Sequence, residues 1–210
     1  SNIFKLNKKN ILKATHYLNS NDIVALPTET VYGLAGNAYS NKSIKKIYSL
    51  KKRPKINPLI IHYYELKNIY KDVEVNDSFL RLYKKYCPGP ITFVLKRKKN
   101  SKISKLATAE RGTIAIRFPD HLKIRKILKK LNFPLAIPSA NKSSGVSPVD
   151  VLDVFEEFKK KIKMIIDGGR CKIGVESTVV DLTNKIKILR PGKITKKEIS
   201  KFLKKKITIA

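Results

Sequence analysis

Ile23-Val24-Ala25-Leu26-Pro27-Thr28-Glu29-Thr30-Val31-Tyr32-Gly33-Leu34 sets a short apolar run directly against two hydroxyls, a carboxylate and a phenol. Four apolar residues closed by a proline read as a buried strand. The polar groups crowded at its C-terminal end have no packing role there, and strand ends are where open α/β sheets bind their ligands. The stretch therefore predicts one strand of an α/β sheet with a site at its end.

The flanking sequence supports that class. Ile11, Leu12, Thr15 and Leu18 recur at helical spacing and predict a helix over 8–20, closed by Asn19-Ser20-Asn21-Asp22. A second helix is predicted over 41–52, with Ile44, Ile47, Tyr48 and Leu50 inward, Ser40 or Asn41 as cap and Pro54 as stop. Further helices follow over 77–86, 121–131, 149–161, where Val151, Leu152, Val154, Phe155 and Phe158 offer burial, and about 194–206. Between them lie apolar or alternating strands over 58–62, 91–95, 113–117, 135–138, 164–166, 178–182 and 186–189. The lysine-rich stretch 96–111 reads as the most mobile loop. Strands and helices alternate without repeats or a linker, which predicts a single α/β domain over 1–210, its core over about 8–193, built on a mixed sheet.

Composition narrows the class. A chain of 210 residues is long enough for one core, and 42% hydrophobic with 30% charged residues is the balance of a soluble protein. No run of about 18 apolar residues predicts a membrane span, and the start lacks a secretory segment, so a cytoplasmic location is expected. Cys87 and Cys171 stand far apart, form no CxxC pair and have no histidines at zinc spacing; both read as reduced and structural, and no protein metal site is expected. A formal charge of +30 invites a nucleic-acid reading. Of the 46 basic residues, however, only eight are arginine, and the other 38 are lysines spread through almost every segment, as codon usage in an AT-rich genome would leave them on solvated faces.

Polar clusters recur where strands and helices end: Thr28 to Tyr32; Lys51, Arg53, Asn57 and His62; Thr113 and Arg117; Ser139 and Asn141; Ser177 and Arg190. Singly, most have ordinary explanations. Lys51 to Arg53 suits a solvated helix end, Ser139 to Asn141 a turn whose side chains bond their own backbone, His62 a structural histidine, and Gly168-Gly169 with Gly174 a hairpin. Arg117 resists such a reading, since it ends an apolar strand before Phe118-Pro119 and needs an anionic partner, either Asp120 or a ligand carboxylate or phosphate.

In combination the clusters carry a resemblance. Pro27 to Leu34, Lys51-Lys52-Arg53-Pro54 with Asn57 to His62, Pro88-Gly89-Pro90-Ile91-Thr92, Thr113 to Arg117, Pro138-Ser139-Ala140-Asn141, Val175 to Asp181 and Leu189-Arg190-Pro191-Gly192 resemble, in order, the motifs of the YrdC-like threonylcarbamoyl-adenylate synthase family, from about Ile11 to Arg190. The resemblance implies a YrdC-like domain, a twisted mixed sheet with flanking helices and a large concave basic pocket. It implies the condensation of L-threonine, bicarbonate and ATP to threonylcarbamoyl-AMP and pyrophosphate, with magnesium entering with ATP. Downstream threonylcarbamoyl-transfer proteins and tRNA, or double-stranded RNA, are the implied partners. By motif position it assigns Thr30, His62, Arg117 and Ser177 to L-threonine. Lys51, Arg53, Asn57, Thr113, Ser139, Asn141, Ser147 and Arg190 go to ATP, and Lys51, Arg53 and Arg117 carry the catalytic charge. Glu29 and Tyr32 belong to the motif without an assigned role. No GxxxxGK[ST] loop is present, so separate basic residues must hold the phosphates. The competing reading is an RNA-binding module with its basic face as the function; carbamoyl transfer in hydrogenase maturation uses a similar domain in a far longer chain.

Overall fold

A computed structural model describes residues 2–143 and 145–210. Its strands are β1 (Ile3–Lys5), β2 (Val24–Leu26), β3 (Gly33–Asn37), β4 (Ile60–His62), β5 (Ile91–Lys96), β6 (Thr113–Arg117), β7 (Leu135–Ala136), β8 (Met164–Asp167), β9 (Thr178–Asp181), β10 (Lys187–Arg190) and β11 (Thr208–Ile209). They form one mixed sheet in the order β1-β8-β2-β3-β7-β4-β6-β5-β9-β10-β11. The helices are α1 (Lys8–Asn19), α2 (Asn41–Lys51), α3 (Asp77–Tyr86), α4 (Leu122–Lys130), α5 (Val151–Phe158) and α6 (Lys196–Leu203). Each starts at a side chain that accepts a free N–H of its first turn: Asn7, Ser40, Asn76, His121, Asp150 and Thr195 respectively. Among the described residues no helix is long and apolar enough to cross a membrane.

The two halves of the sheet are covered differently, and this creates the site. Around β2, helices α1 and α4 pack Ile11, Leu18, Ile124 and Leu128 on one face, against Val24, Leu26, Met164 and Ile166. The opposite face, through Ala25, Leu34 and Ile165, joins a larger cluster with Ile44, Ile47, Val154 and Phe158. That cluster continues under β4, β6, β5 and β9, where Ile61, Ile116, Phe93 and Val180 meet Phe79, Leu82, Ile199 and Leu203 of α3 and α6. Alternate residues of these four strands point the other way, and among the described residues no helix covers them. The register aligns them in rows: His62, Arg117, Thr92, Val179 and Arg190 in one, Ile60, Ala115, Val94, Asp181 and Lys187 in the next.

Several expectations change. Lys52 takes a left-handed conformation (φ 48°) and ends α2 one residue early; Lys159 (φ 41°) ends α5 at Phe158, before a 3-10 turn over Lys159–Lys161. The last helix begins after its Thr195 cap, leaving Ile194 to the core. Leu12, Leu80 and Leu152 face solvent. The segment after β5 is packed rather than open: Ile103 and Ala107 are buried, Ser101 Oγ donates to Asp72 Oδ1 (2.7 Å), and Arg97 Nη2 donates to the Ser101 and Ile103 carbonyls. No hairpin forms at Gly168 to Gly174. That segment lies along the Glu29 wall instead, with Ile173 N–H donating to Glu29 O and Gly174 N–H to Thr30 O, both at 3.0 Å. β3 was not expected, because Gly33 and Gly36 weaken a strand reading. Both permit close approach: a Cβ on Gly33 would lie 2.3 Å from Ile137 Cγ2, and one on Gly36 2.8 Å from Ile23 Cδ1.

Candidate functional site

The turn after β2 is organised by its own hydroxyls. Thr28 Oγ1 donates to Val31 O (2.7 Å) and accepts from the N–H groups of Thr30 and Val31. The two threonine hydroxyls lie 2.9 Å apart. Arg117 Nη2 in turn donates to Thr30 Oγ1 at 3.0 Å. The same Nη2 donates to Glu29 Oε1 at 2.6 Å, in an ion pair whose side chains are 5% and 6% exposed. Glu29, not the exposed Asp120, is thus the partner that Arg117 required. The pair uses one edge of each group: Glu29 Oε2 and Arg117 Nε have no hydrogen-bond partner among the described residues. Tyr32 also acquires a place, its hydroxyl donating to Gly169 O (2.8 Å) and accepting from Gly168 N–H, with burial pushing the phenol pKa up.

Beside Arg117 in the row, His62 is almost fully buried and its Nδ1 meets Ile60 O at 3.2 Å. A carbonyl only accepts, so Nδ1 carries the proton and Nε2 is left as an acceptor. Burial, and then the charge of Arg117, hold its pKa well below the usual histidine value, so the ring is neutral at pH 7. On the other side, Thr92 Oγ1 and Ser177 Oγ lie 2.7 Å apart, both fully buried. Arg190 grips Ser177 three times, through Nε and Nη2 to its carbonyl (3.1 and 3.0 Å) and Nη2 to its hydroxyl (3.1 Å). Its remaining Nη1 is paired with Glu176, whose Oε1 also accepts from Ser147 Oγ at 2.7 Å. Burial, then the charges of Arg117 and Arg53, lower the Arg190 pKa to about 10, which leaves it charged at neutral pH.

The helix end and the β7 exit complete the wall. Arg53 donates through Nε to Asn57 O (3.1 Å) and through Nη2 to Pro58 O (3.0 Å). Lys51 is no solvated helix end: it is 1% exposed, and Nζ donates to Ser139 O at 2.5 Å and to Asn141 O. Burial, then the neighbouring charge of Arg53, lower its pKa to about 8. Asn141 Nδ2 closes the following turn on the Lys142 and Gly145 carbonyls, and its buried Oδ1 has no partner among the described residues.

One cavity gathers much of this. Thr30, Arg53, His62, Arg117, Ser139, Ser177 and Arg190 line it, together with Glu176. Lys51 and Asn141 stand behind the wall they hold, and Asn57 is exposed, contributing its carbonyl to Arg53. Ser147 reaches the cavity through Glu176. Thr113 lies on the same uncovered face, at the far end of β6 from Arg117; four residues along a strand is roughly 13 Å. Sequence reading assigned no role to Glu29, Thr92 or Glu176. Thr92 was within its reach, because it is in phase with the outward side of an alternating strand. Glu29 was not, because its partner Arg117 comes from a distant strand; Glu176 meets Arg190 across the antiparallel β9–β10 pair, a register that composition does not give.

The cavity brings three arginines, a neutral histidine and buried hydroxyls together on the uncovered face of a mixed α/β sheet, a set of groups suited to small anionic ligands. The family model for Sua5, YciO and YrdC, described as telomere recombination, matches residues 16–192, and the chain belongs to this family. It is 41% identical over 194 residues to the threonylcarbamoyl-AMP synthase of Pyrococcus abyssi, covering 90% of this chain and 56% of that protein. It is 40% identical to the threonylcarbamoyl-AMP synthase of Bacillus subtilis, covering 92% of this chain and 56% of that one. The chain thus spans about half the length of these curated relatives. Among solved structures, P. abyssi Sua5 complexed with L-threonine superposes with a TM-score of 0.95 at 37% identity, covering 100% of this chain and 63% of that one.

Proposed function

We propose that this chain is a threonylcarbamoyl-AMP synthase, one domain that joins L-threonine, bicarbonate or carbon dioxide, and ATP. The observation that carries the reading is the single cavity that Arg117, His62 and Thr30 share with Arg53 and Arg190. Relatives named for this activity, and a neighbour solved with L-threonine, support it. In this reading the free edge of Arg117 holds the threonine carboxylate, with Ser177 and Thr30 beside it. Neutral His62 offers Nε2 as a proton acceptor near the amine, which must be unprotonated to add to carbon dioxide. The resulting carbamate oxygen attacks the α-phosphorus, the bond to the β-phosphate oxygen breaks, and pyrophosphate leaves. Arg53 and Arg190 are the cations that receive the charge developing on it; such placed charge supplies much of the catalysis in phosphoryl transfer. Lys51 and Asn141 act by holding the Ser139 wall, while Thr113 and Asn57 extend the ATP site along the uncovered face. Among the described residues no cluster of three or more His, Cys, Asp or Glu could hold a metal. Magnesium is proposed to enter with ATP, carried on phosphate oxygens and water, where it would neutralise the triphosphate.

Pyrophosphate release should require all three substrates. Omitting threonine, bicarbonate or ATP in turn should each abolish it, and release without threonine would sink the reading. Transfer proteins and tRNA are the proposed recipients of the product. The rival function, RNA binding by the basic surface, would ignore threonine and weaken steeply with salt.

A further inference from the structure

Two arginines of the cavity each hold a resident carboxylate, and the two pairs differ. Arg117 and Glu29 are sealed, at 5% and 6% exposure, whereas Arg190 and Glu176 are 36% and 28% exposed. Withdrawing Glu29 would strand a carboxylate inside a wall, while Glu176 can rotate into water. Arg190 would stay aimed after that rotation, because Nε and Nη2 are bound to Ser177 and only Nη1 is paired with Glu176. Ser147, the other partner of the Glu176 carboxylate, would be released in the same step.

We propose that Glu176 is a specificity-determining residue: an exchangeable internal anion that reserves Arg190 and Ser147 for a polyphosphate and denies them to single carboxylates. This rests on the reading of the cavity as a nucleotide site. A monoanion entering at Arg190 gains nothing over the carboxylate already there, since both carry one charge. A di- or triphosphate brings several charges to Arg190 and neighbouring Arg53 at once, and can displace it. Glu176 thereby directs the carboxylate of an amino acid substrate away from Arg190 and toward Arg117, whose free edge has no such competitor. The resident anion also lowers apparent phosphate affinity by the fraction of molecules in which it is displaced.

The test is calorimetric titration of wild type and Glu176→Gln with ATP, inorganic pyrophosphate and L-threonine, pyrophosphate being repeated in the presence of acetate as a monoanion probe. Loss of a partly exposed ion pair predicts about three- to tenfold tighter ATP and pyrophosphate in Glu176→Gln, with threonine affinity within about twofold of wild type. Acetate should leave pyrophosphate binding to wild type unchanged and compete with it in the variant. Equal or weaker pyrophosphate binding in Glu176→Gln, with threonine binding intact, overturns the role of Glu176 alone. Failure of wild type itself to bind ATP or pyrophosphate overturns the nucleotide reading together with it.

Discussion

Removing Arg117 would leave the buried Glu29 carboxylate without its counter-charge. Breaking one side of such a buried pair costs roughly 3–5 kcal/mol, whereas neutralising both sides costs far less. Arg117→Ala should therefore lose both stability and pyrophosphate release. Adding Glu29→Gln should recover most of the stability and none of the activity. Urea denaturation of the single and double variants, read beside the activity assay, separates the two roles. An Arg117→Ala protein as stable as wild type would mean that Glu29 has another partner within reach.

At the scale of elements, the C-terminal end of α2 works as a post for the β7 exit, because Lys51 reaches across to the Ser139 and Asn141 carbonyls. Its depressed pKa gives this a pH signature. The unfolded chain holds the Lys51 proton up to about 10.5 and the folded chain only up to about 8. Between those values the unfolded state binds more protons, so raising the pH favours folding through this residue. A neutral amine keeps two N–H groups, enough for both carbonyls. Unfolding free energies of wild type and Lys51→Met, compared from pH 7 to 10.5, should shift in favour of wild type above pH 8; a constant difference would rule out this titration. Elements were also where sequence was most readable. Apolar stripes marked the six helices, and alternation marked β5 and β6 almost to the residue. β3 escaped because its glycines serve close packing rather than propensity, and the packed segment after β5 escaped because Asp72 and Arg97, not its own lysines, hold it. The site residues were legible as types at strand ends. Their pairing was not, since which strands become neighbours decides that Arg117 meets Glu29 and Arg190 meets Glu176.

Over the whole molecule, function follows from uneven coverage of one sheet. Helices cover both faces near β2, and a single helical layer lies beneath β4, β6, β5 and β9, whose other face carries the cavity. Alternation along those strands then sorts residues without further devices, sending Ile61, Ile116 and Phe93 to the core and His62, Arg117 and Thr92 to the cavity. The charge of +30 is spread more widely than this face, mostly as lysine.

The segment laid along the Glu29 wall makes that wall observable from outside. The amides of Ile173 and Gly174 are held by the carbonyls of Glu29 and Thr30, the residues that pair with Arg117. Their exchange with deuterium therefore reports how often the wall comes apart. Threonine seated on Arg117 should slow exchange at both amides together, and ATP alone should slow it less. Unchanged rates under saturating threonine would show that the wall opens independently of the site. Two backbone protons, detectable without any assay of chemistry, would then record occupancy of a cavity they do not line.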